Sequence, residues 1–274
     1  MENLQNDSSE GDLYPIFPPE IEHKIFVAAF DGDQEMSNIG PLLLVSKRVY
    51  EWLLPLVYEI VSTYPGSFKW PPMTLPIKNL PRFGKYVRHL LLDFTQVGTS
   101  AIYFTDCPNV VDLCLVGWDG TGLPTLPCLR PTELSVNLDE FPKVPEIIPF
   151  CTNVTHLDCA YDEWKHFIGP SNWFSYFPNL THLMVRGDSL QDQREHVDLV
   201  FQQLQNLQVF ILCHYPNSDL PGLKMVESDY VYPDPRIVHL SLRFPLHWKT
   251  AAQGILSPWL FAEEVVKKRR DGVI

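Results

Sequence analysis

The chain has 274 residues, 45% of them apolar, and 33 acidic against 21 basic side chains give a formal charge of −12. That apolar share supports a packed core and argues against wholesale disorder. The acidic balance argues against a nucleic-acid partner, which would need a basic face. No run approaches the ~20 apolar residues of a membrane span, and Met1-Glu2-Asn3-Leu4-Gln5 lacks the basic and apolar regions of a signal peptide. A cytoplasmic or nuclear protein without membrane contact is therefore expected.

Residues 1–13 are polar and acidic and are expected to form a disordered tail. Residues 14–62 read as a small helical unit. Phe17-Pro18-Pro19-Glu20-Ile21 opens a helix, with proline in the first turn and an acid behind it. Ile21, Ile25 and Phe26 then make one apolar stripe. Beyond the turn at Asp31-Gly32-Asp33, Pro41 opens a second helix carrying Leu42, Val45, Val49, Trp52 and Leu53 at helical spacing. Pro55 is expected to break or restart it before Leu56-Val57-Tyr58-Glu59-Ile60-Val61. Pro65, Pro71, Pro72, Pro76 and Pro81 make 63–85 an extended connection.

Over residues 86–256 one phrase recurs: asparagine or a stand-in, apolar, two free positions, then apolar, free, apolar. It reads Asn109-Val110-x-x-Leu113-x-Leu115, Asn153-Val154-x-x-Leu157-x-Cys159, Asn179-Leu180-x-x-Leu183-x-Val185 and Asn206-Leu207-x-x-Phe210-x-Leu212. Looser copies centre on Leu90 and Leu240, and a degenerate one on Leu134 beside Pro131. The marks at 90, 113, 134, 157, 183, 210 and 240 are 23, 21, 23, 26, 27 and 30 residues apart. This period and core are the leucine-rich-repeat signature, one parallel strand per copy. The fold class expected is α/β: a helical unit, then an irregular arc of about seven strands. Residues 190–205 have room for a true helix, and 257–274 for an amphipathic one that caps the end of the stack.

Strand side chains alternate, so the two apolar positions point into the stack and their neighbours face a concave surface. The expected partner-binding residues there are His156, Asp158, His182, Met184, Arg186, Ile211, His239 and Arg243. Exposed apolar anchors among arginines suit a protein partner. His156 and His182 fall in consecutive copies and could share a metal or respond to pH. Column spacing alone does not gather three ligands, so no metal site or cofactor is assigned and the histidines read as the repeat's habitual wording. Convergence of both with an acid would distinguish the two. The six cysteines (107, 114, 128, 151, 159 and 213) include no Cys-x-x-Cys pair and read as small buried packing residues. Lys267-Lys268-Arg269-Arg270 reads as the last turn of the terminal helix, where cations offset the helix dipole, with a nuclear address as the other reading. No phosphate-cradling glycine loop, His-Glu-x-x-His or Gly-x-Ser-x-Gly occurs, and a non-catalytic protein is expected.

The N-terminal unit resembles an F-box, in the F-box-like form of fungal proteins with long repeat tails. Phe17-Pro18-Pro19-Glu20-Ile21, Ile25-Phe26, Leu44-Val45-Ser46-Lys47-Arg48-Val49-Tyr50-Glu51-Trp52 and Pro55-Leu56-Val57-Tyr58 carry the likeness. Phe17 stands where the family usually has leucine, and Tyr58 where many members have tryptophan. The resemblance implies that Pro18, Ile21, Ile25, Leu44, Val45 and Val49 dock a Skp-type adaptor and through it a cullin ubiquitin ligase, while the repeats hold an unidentified target protein. The alternative is a leucine-rich-repeat interaction module that no longer docks the adaptor, its helical face packed on the repeats. Exposure of that face is what separates them.

Overall fold

The computed structural model describes residues 17–32, 39–64, 80–95, 106–118, 128–137, 148–160, 173–187, 194–214, 233–242 and 246–273. The 1–13 tail, most of the 63–85 connection and Arg243 lie outside these residues. The chain divides at Pro55 into two compact units, Met1–Pro55 and Leu56–Ile274.

The first unit holds α1 (Pro19–Gly32), α2 (Ile39–Leu43) and the start of α3 (Lys47–Glu59). What reads as one helix over 41–53 is two, because the Ser46 hydroxyl accepts from the Val49 amide at 3.2 Å and caps a fresh start. Pro55 does not break α3. The carbonyl it leaves without a donor belongs to Glu51, on the exposed side of the helix. Helices α1 and α3 are joined through polar and aromatic contacts. Arg48 pairs with Glu22 and lies over the Trp52 ring, and His23 meets Trp52 edge-on at 5.2 Å.

The second unit is built on one all-parallel sheet of eight strands lying side by side in chain order. They are β1 (Ile60–Ser62), β2 (His89–Asp93), β3 (Asp112–Val116), β4 (Glu133–Asn137), β5 (His156–Ala160), β6 (His182–Arg186), β7 (Val209–His214) and β8 (Ile237–Ser241). Short helices α4 (Leu80–Phe83) and α5 (Ile148–Cys151) and the longer α6 (Arg194–Gln203) fall in the connections. The fold is thus α/β. Strand β1 replaces the end of the helix expected through Val61, which suits its β-branched Ile60-Val61 pair.

The register follows the recurring phrase from β2 to β7. His89, Asp112, Glu133, His156, His182 and Val209 form one row, and Leu90, Leu113, Leu134, Leu157, Leu183 and Phe210 the next. The asparagine that opens the phrase has a physical task. Asn109 Nδ2 donates to the Lys85 carbonyl (2.6 Å) and Asn179 Nδ2 to that of Thr152 (2.7 Å), tying each copy to the one before. Arg236 does the same in the last copy through the Leu207 carbonyl (3.0 Å), held by Asp234 and stacked over Phe201.

That last copy departs from expectation. Phe210 pairs with Ile237 rather than Leu240, so the register shifts by three residues and every β8 side chain changes face. The copy beside Pro131 keeps its register. The shift turns Val238, Leu240 and Leu242 toward the C-terminal helix, where they are buried.

Strands added in chain order through right-handed crossovers place every connection on the same side of a sheet. Of the described connecting elements, α6 lies on the side faced by the leucine row, where Phe201 meets Phe210 edge-on at 5.9 Å. Among the described residues, the second face, with Leu91, Cys114, Met184, Ile211 and Val238, takes its cover from elements after β8. Two helices supply it. Trp248 of α7 (Leu246–Ala252), an element with no counterpart in the sequence reading, packs with Leu91 and Cys114. Helix α8 (Pro258–Arg270) lays Trp259, Ala262, Val265 and Val266 on Met184, Ile211, Val238 and Leu240. The terminal helix therefore covers the second face of the sheet instead of capping the end of the stack. It starts at Ser257, whose hydroxyl accepts from the Leu260 amide, with Pro258 in the first turn.

Ala262 is fully buried and Leu260 is 67% exposed on the same helix. Ala262→Asp places a carboxylate in the apolar seam and is expected to cost about 3 kcal/mol or more. Leu260→Asp is expected to stay within about 0.5 kcal/mol. Urea unfolding of the two variants checks the difference.

Candidate functional site on the covered sheet face

Between the sheet and the two C-terminal helices lies a row of polar side chains that an apolar seam alone would not need. It is centred on Asp158, in the middle of β5. Asp158 accepts from Arg186 Nε (2.5 Å) and Ser135 Oγ (3.0 Å), and His247 Nε2 of α7 lies 3.3 Å away. Asp158, Arg186 and His247 are each under 6% exposed. Burial pushes the Asp158 carboxyl up, but the Arg186 charge and the His247 hydrogen bond outweigh it, and the group is held below the usual carboxylate range. Asp112 holds the neighbouring position, with Trp248 Nε1 donating to Oδ1 (3.0 Å) and His89 Nδ1 3.1 Å from Oδ2. Beneath α7 and the start of α8 these groups enclose a cavity large enough for a water molecule, lined among others by Glu133, Asp158, His247 and Trp248.

The second cluster is at β5 and β6. His156 and His182 are register partners, and their rings stack with centroids 4.1 Å apart and planes 15° apart. Trp259 of α8 meets both edge-on, at 5.2 and 6.0 Å. Glu263, one turn along the same helix, brings Oε1 to 3.0 Å from His182 Nε2. The carboxylate lies off the ring N–H direction, and Nε2 has no well-formed hydrogen bond. His156, His182 and Glu263 each offer one ligand atom, all within 4.8 Å of one another.

The structure thus revises the expected surface. Of the residues assigned to an open concave face, Asp158, His182, Met184, Arg186 and Ile211 lie on the second face but are buried beneath the chain's own helices, and His156 is half-buried. His239 is on the opposite face, because the β8 shift pairs it with Leu212, which shares the face of the leucine row. Arg243 lies outside the described residues. Sequence reasoning missed Trp248, His247, Trp259 and Glu263 as parts of this cluster. The first two stand with Ala251 and Ala252 at helical spacing, a signal available in the chain but short. Five cysteines are buried as expected, and Cys128 is exposed. Burial pushes Cys107, Cys151 and Cys213 up to about 12, so these thiols are not nucleophiles.

In the N-terminal unit, Pro18 is exposed, and Ile21 (41%), Ile25 (47%), Leu44 (86%) and Val45 (57%) are exposed apolar side chains. Val49 is buried at 2%, and belongs to packing rather than to a docking surface. No described side chain of α1 is buried. Among the described residues no helix is long and apolar enough to cross a membrane.

Fold and site together define an α/β protein with an eight-stranded parallel sheet whose second face is closed from within. Comparison with family models, curated protein sequences and solved structures gave no match.

Two predictions follow from the charges. Asp158→Ala removes the carboxylate paired with the buried Arg186 guanidinium and is expected to cost about 3–5 kcal/mol. Replacing both by methionine is expected to recover much of that loss, as denaturation midpoints will show. The second concerns pH. Burial and Asp112 push Glu133 up from 4.5 to about 7, while burial, and then His182, push His156 down from 6.5 to about 3. Between pH 4.5 and 6.5 the folded chain keeps a proton on Glu133 that the unfolded chain releases, so this group favours folding as pH falls. Over the same range His156 refuses a proton the unfolded chain takes up, so it disfavours folding as pH falls. Each contributes up to about 1.4 kcal/mol per pH unit, with opposite sign. Glu133→Gln should therefore steepen acid destabilisation below pH 6.5 and His156→Gln should flatten it, measured by thermal melts in chelator-containing buffer.

Proposed function

We propose that the chain is a substrate-recognition subunit that docks a Skp-type adaptor through its N-terminal helices and so joins a target protein to a cullin ubiquitin ligase. The observation that supports this is the exposure of Ile21, Ile25, Leu44 and Val45 in the N-terminal helices. Apolar surface of this kind, gathered in a short segment, is a marker of a protein contact. These are four of the six positions that match the F-box adaptor contact by resemblance. Val49 drops from the set. The reading accounts for the order of the chain as well: a short helical unit first, then a repeat-built sheet suited to presenting a target.

Target recognition through the second face of the sheet does not carry over, since that face is filled by α7 and α8. A target would be held by surfaces outside it, or by the face after the terminal helix has lifted. The alternative, an interaction module that has lost adaptor docking, would pack this face on the repeats, and adaptor binding separates the two.

The test is a pull-down of a purified Skp-type adaptor by the intact chain and by a Leu44→Asp, Val45→Asp double variant. Both positions are exposed, so the variant is expected to fold with a stability change within about 1 kcal/mol. Capture by the intact chain, reduced at least ten-fold in the variant, supports the reading. No capture by a well-folded intact chain sinks it and leaves a plain interaction protein.

A further inference from the structure

Each histidine of the pair is held at its Nδ1 side by the preceding threonine. Thr155 Oγ1 lies 2.9 Å from His156 Nδ1 and also donates to the Thr132 carbonyl at 3.2 Å. Thr181 Oγ1 lies 2.8 Å from His182 Nδ1 and donates to the Thr155 carbonyl at 3.2 Å. Threonine Oγ1 thus engages the Nδ1 side of each ring, and in the tautomer that carries its proton on Nδ1 the Nε2 lone pair is available to a cation. His182 Nε2 lies 3.0 Å from a Glu263 carboxylate oxygen. The atom is buried and has no hydrogen-bond donor. A buried, unpartnered ring nitrogen beside a carboxylate is satisfied by a cation, a proton or a metal ion, held between them.

We propose that His156 Nε2, His182 Nε2 and the Glu263 carboxylate form a binding site for a late first-row divalent metal ion, zinc above all, which fastens the C-terminal helix α8 to strands β5 and β6. Two imidazoles and one carboxylate are a zinc donor set, with a fourth position left for water. The site has the supporting shell such sites use, because each ligating ring is oriented through its other nitrogen. Tetrahedral bonds of zinc length place ligand atoms about 3.3 Å apart, and the present atoms all lie within 4.8 Å. Closing the difference takes rotation of the partly exposed Glu263 side chain and some opening of the stacked rings. The exposed side of Glu263, 45% accessible, supplies the entry path. The site joins a residue from the far end of the chain to two repeats, so occupancy would govern how firmly the second face stays closed.

The full-length chain, stripped with chelator, is titrated with zinc by calorimetry and with cobalt by visible absorption, and its melting is followed with and without zinc. The expected result is one zinc per chain at micromolar or tighter affinity, a melting midpoint raised by several degrees, and a tetrahedral cobalt band. Glu263→Gln should weaken zinc at least ten-fold, and His182→Gln should abolish the cobalt band. Glu264→Gln, an exposed neighbour paired with Lys268, and Cys128→Ser should leave both unchanged. Should His182→Gln fail to fold, Glu263→Gln at its exposed position decides alone. An unchanged midpoint with no saturable zinc binding overturns the proposal, showing that a proton alone satisfies the His182–Glu263 pair. Binding that survives Glu263→Gln and is lost with Cys128→Ser also overturns it.

Discussion

A parallel sheet whose strands lie in chain order sends every crossover to one side, and the other side must then be covered by something that is not a crossover. Here that constraint falls on the last part of the chain. Among the described residues, α7 covers one apolar patch, Leu91 with Cys114, and α8 covers another, Met184, Ile211, Val238 and Leu240. The three-residue shift of β8 fits the same constraint. In the expected register Leu240 and Leu242 would point to the leucine face; the shift brings them with Val238 under α8. Tertiary packing has overridden the local phrase in the one copy that the terminal helix touches most.

Because the cover is supplied by two short helices, it is held by specific contacts as well as apolar area. Trp248 reaches Asp112 through its indole N–H, and His247 reaches Asp158. Glu263 reaches His182, and Arg269 donates to the Ile237 carbonyl. A buried ion pair such as Asp158–Arg186 adds little net stability but penalises arrangements that leave either charge alone. The polar row therefore sets where the helices sit, and the apolar seam makes them stay. The same geometry brings two imidazoles and a carboxylate to one point, which links closure of the face to metal chemistry.

Much of the sheet was legible in the residues. The phrase recurs with enough fidelity to place six strands in the right mutual register, including the copy beside Pro131, because the asparagine and the apolar pair each have a structural task. The N-terminal helices were legible from proline and apolar spacing, though the Ser46 cap that divides the second was passed over. Two features were not legible. A strand of three residues, Ile60–Ser62, is too short to separate from the end of a helix by periodicity. Closure of the second face depends on residues more than 100 positions apart, such as Asp112 and Trp248, and no local pattern records that pairing. Repeat logic assigned those side chains to solvent, and the terminal helix to the end of the stack.

The most direct measurement is the rate at which each cysteine of the native full-length chain reacts with a small maleimide, read peptide by peptide. Cys114 packs with Trp248 of α7, Cys213 lies in the cluster beneath α8, and Cys128 is exposed. A closed second face predicts that Cys128 reacts quickly, while Cys114 and Cys213 react only after denaturation. Labelling of Cys114 and Cys213 at the rate of Cys128 in the folded protein would contradict the account and restore an open sheet face.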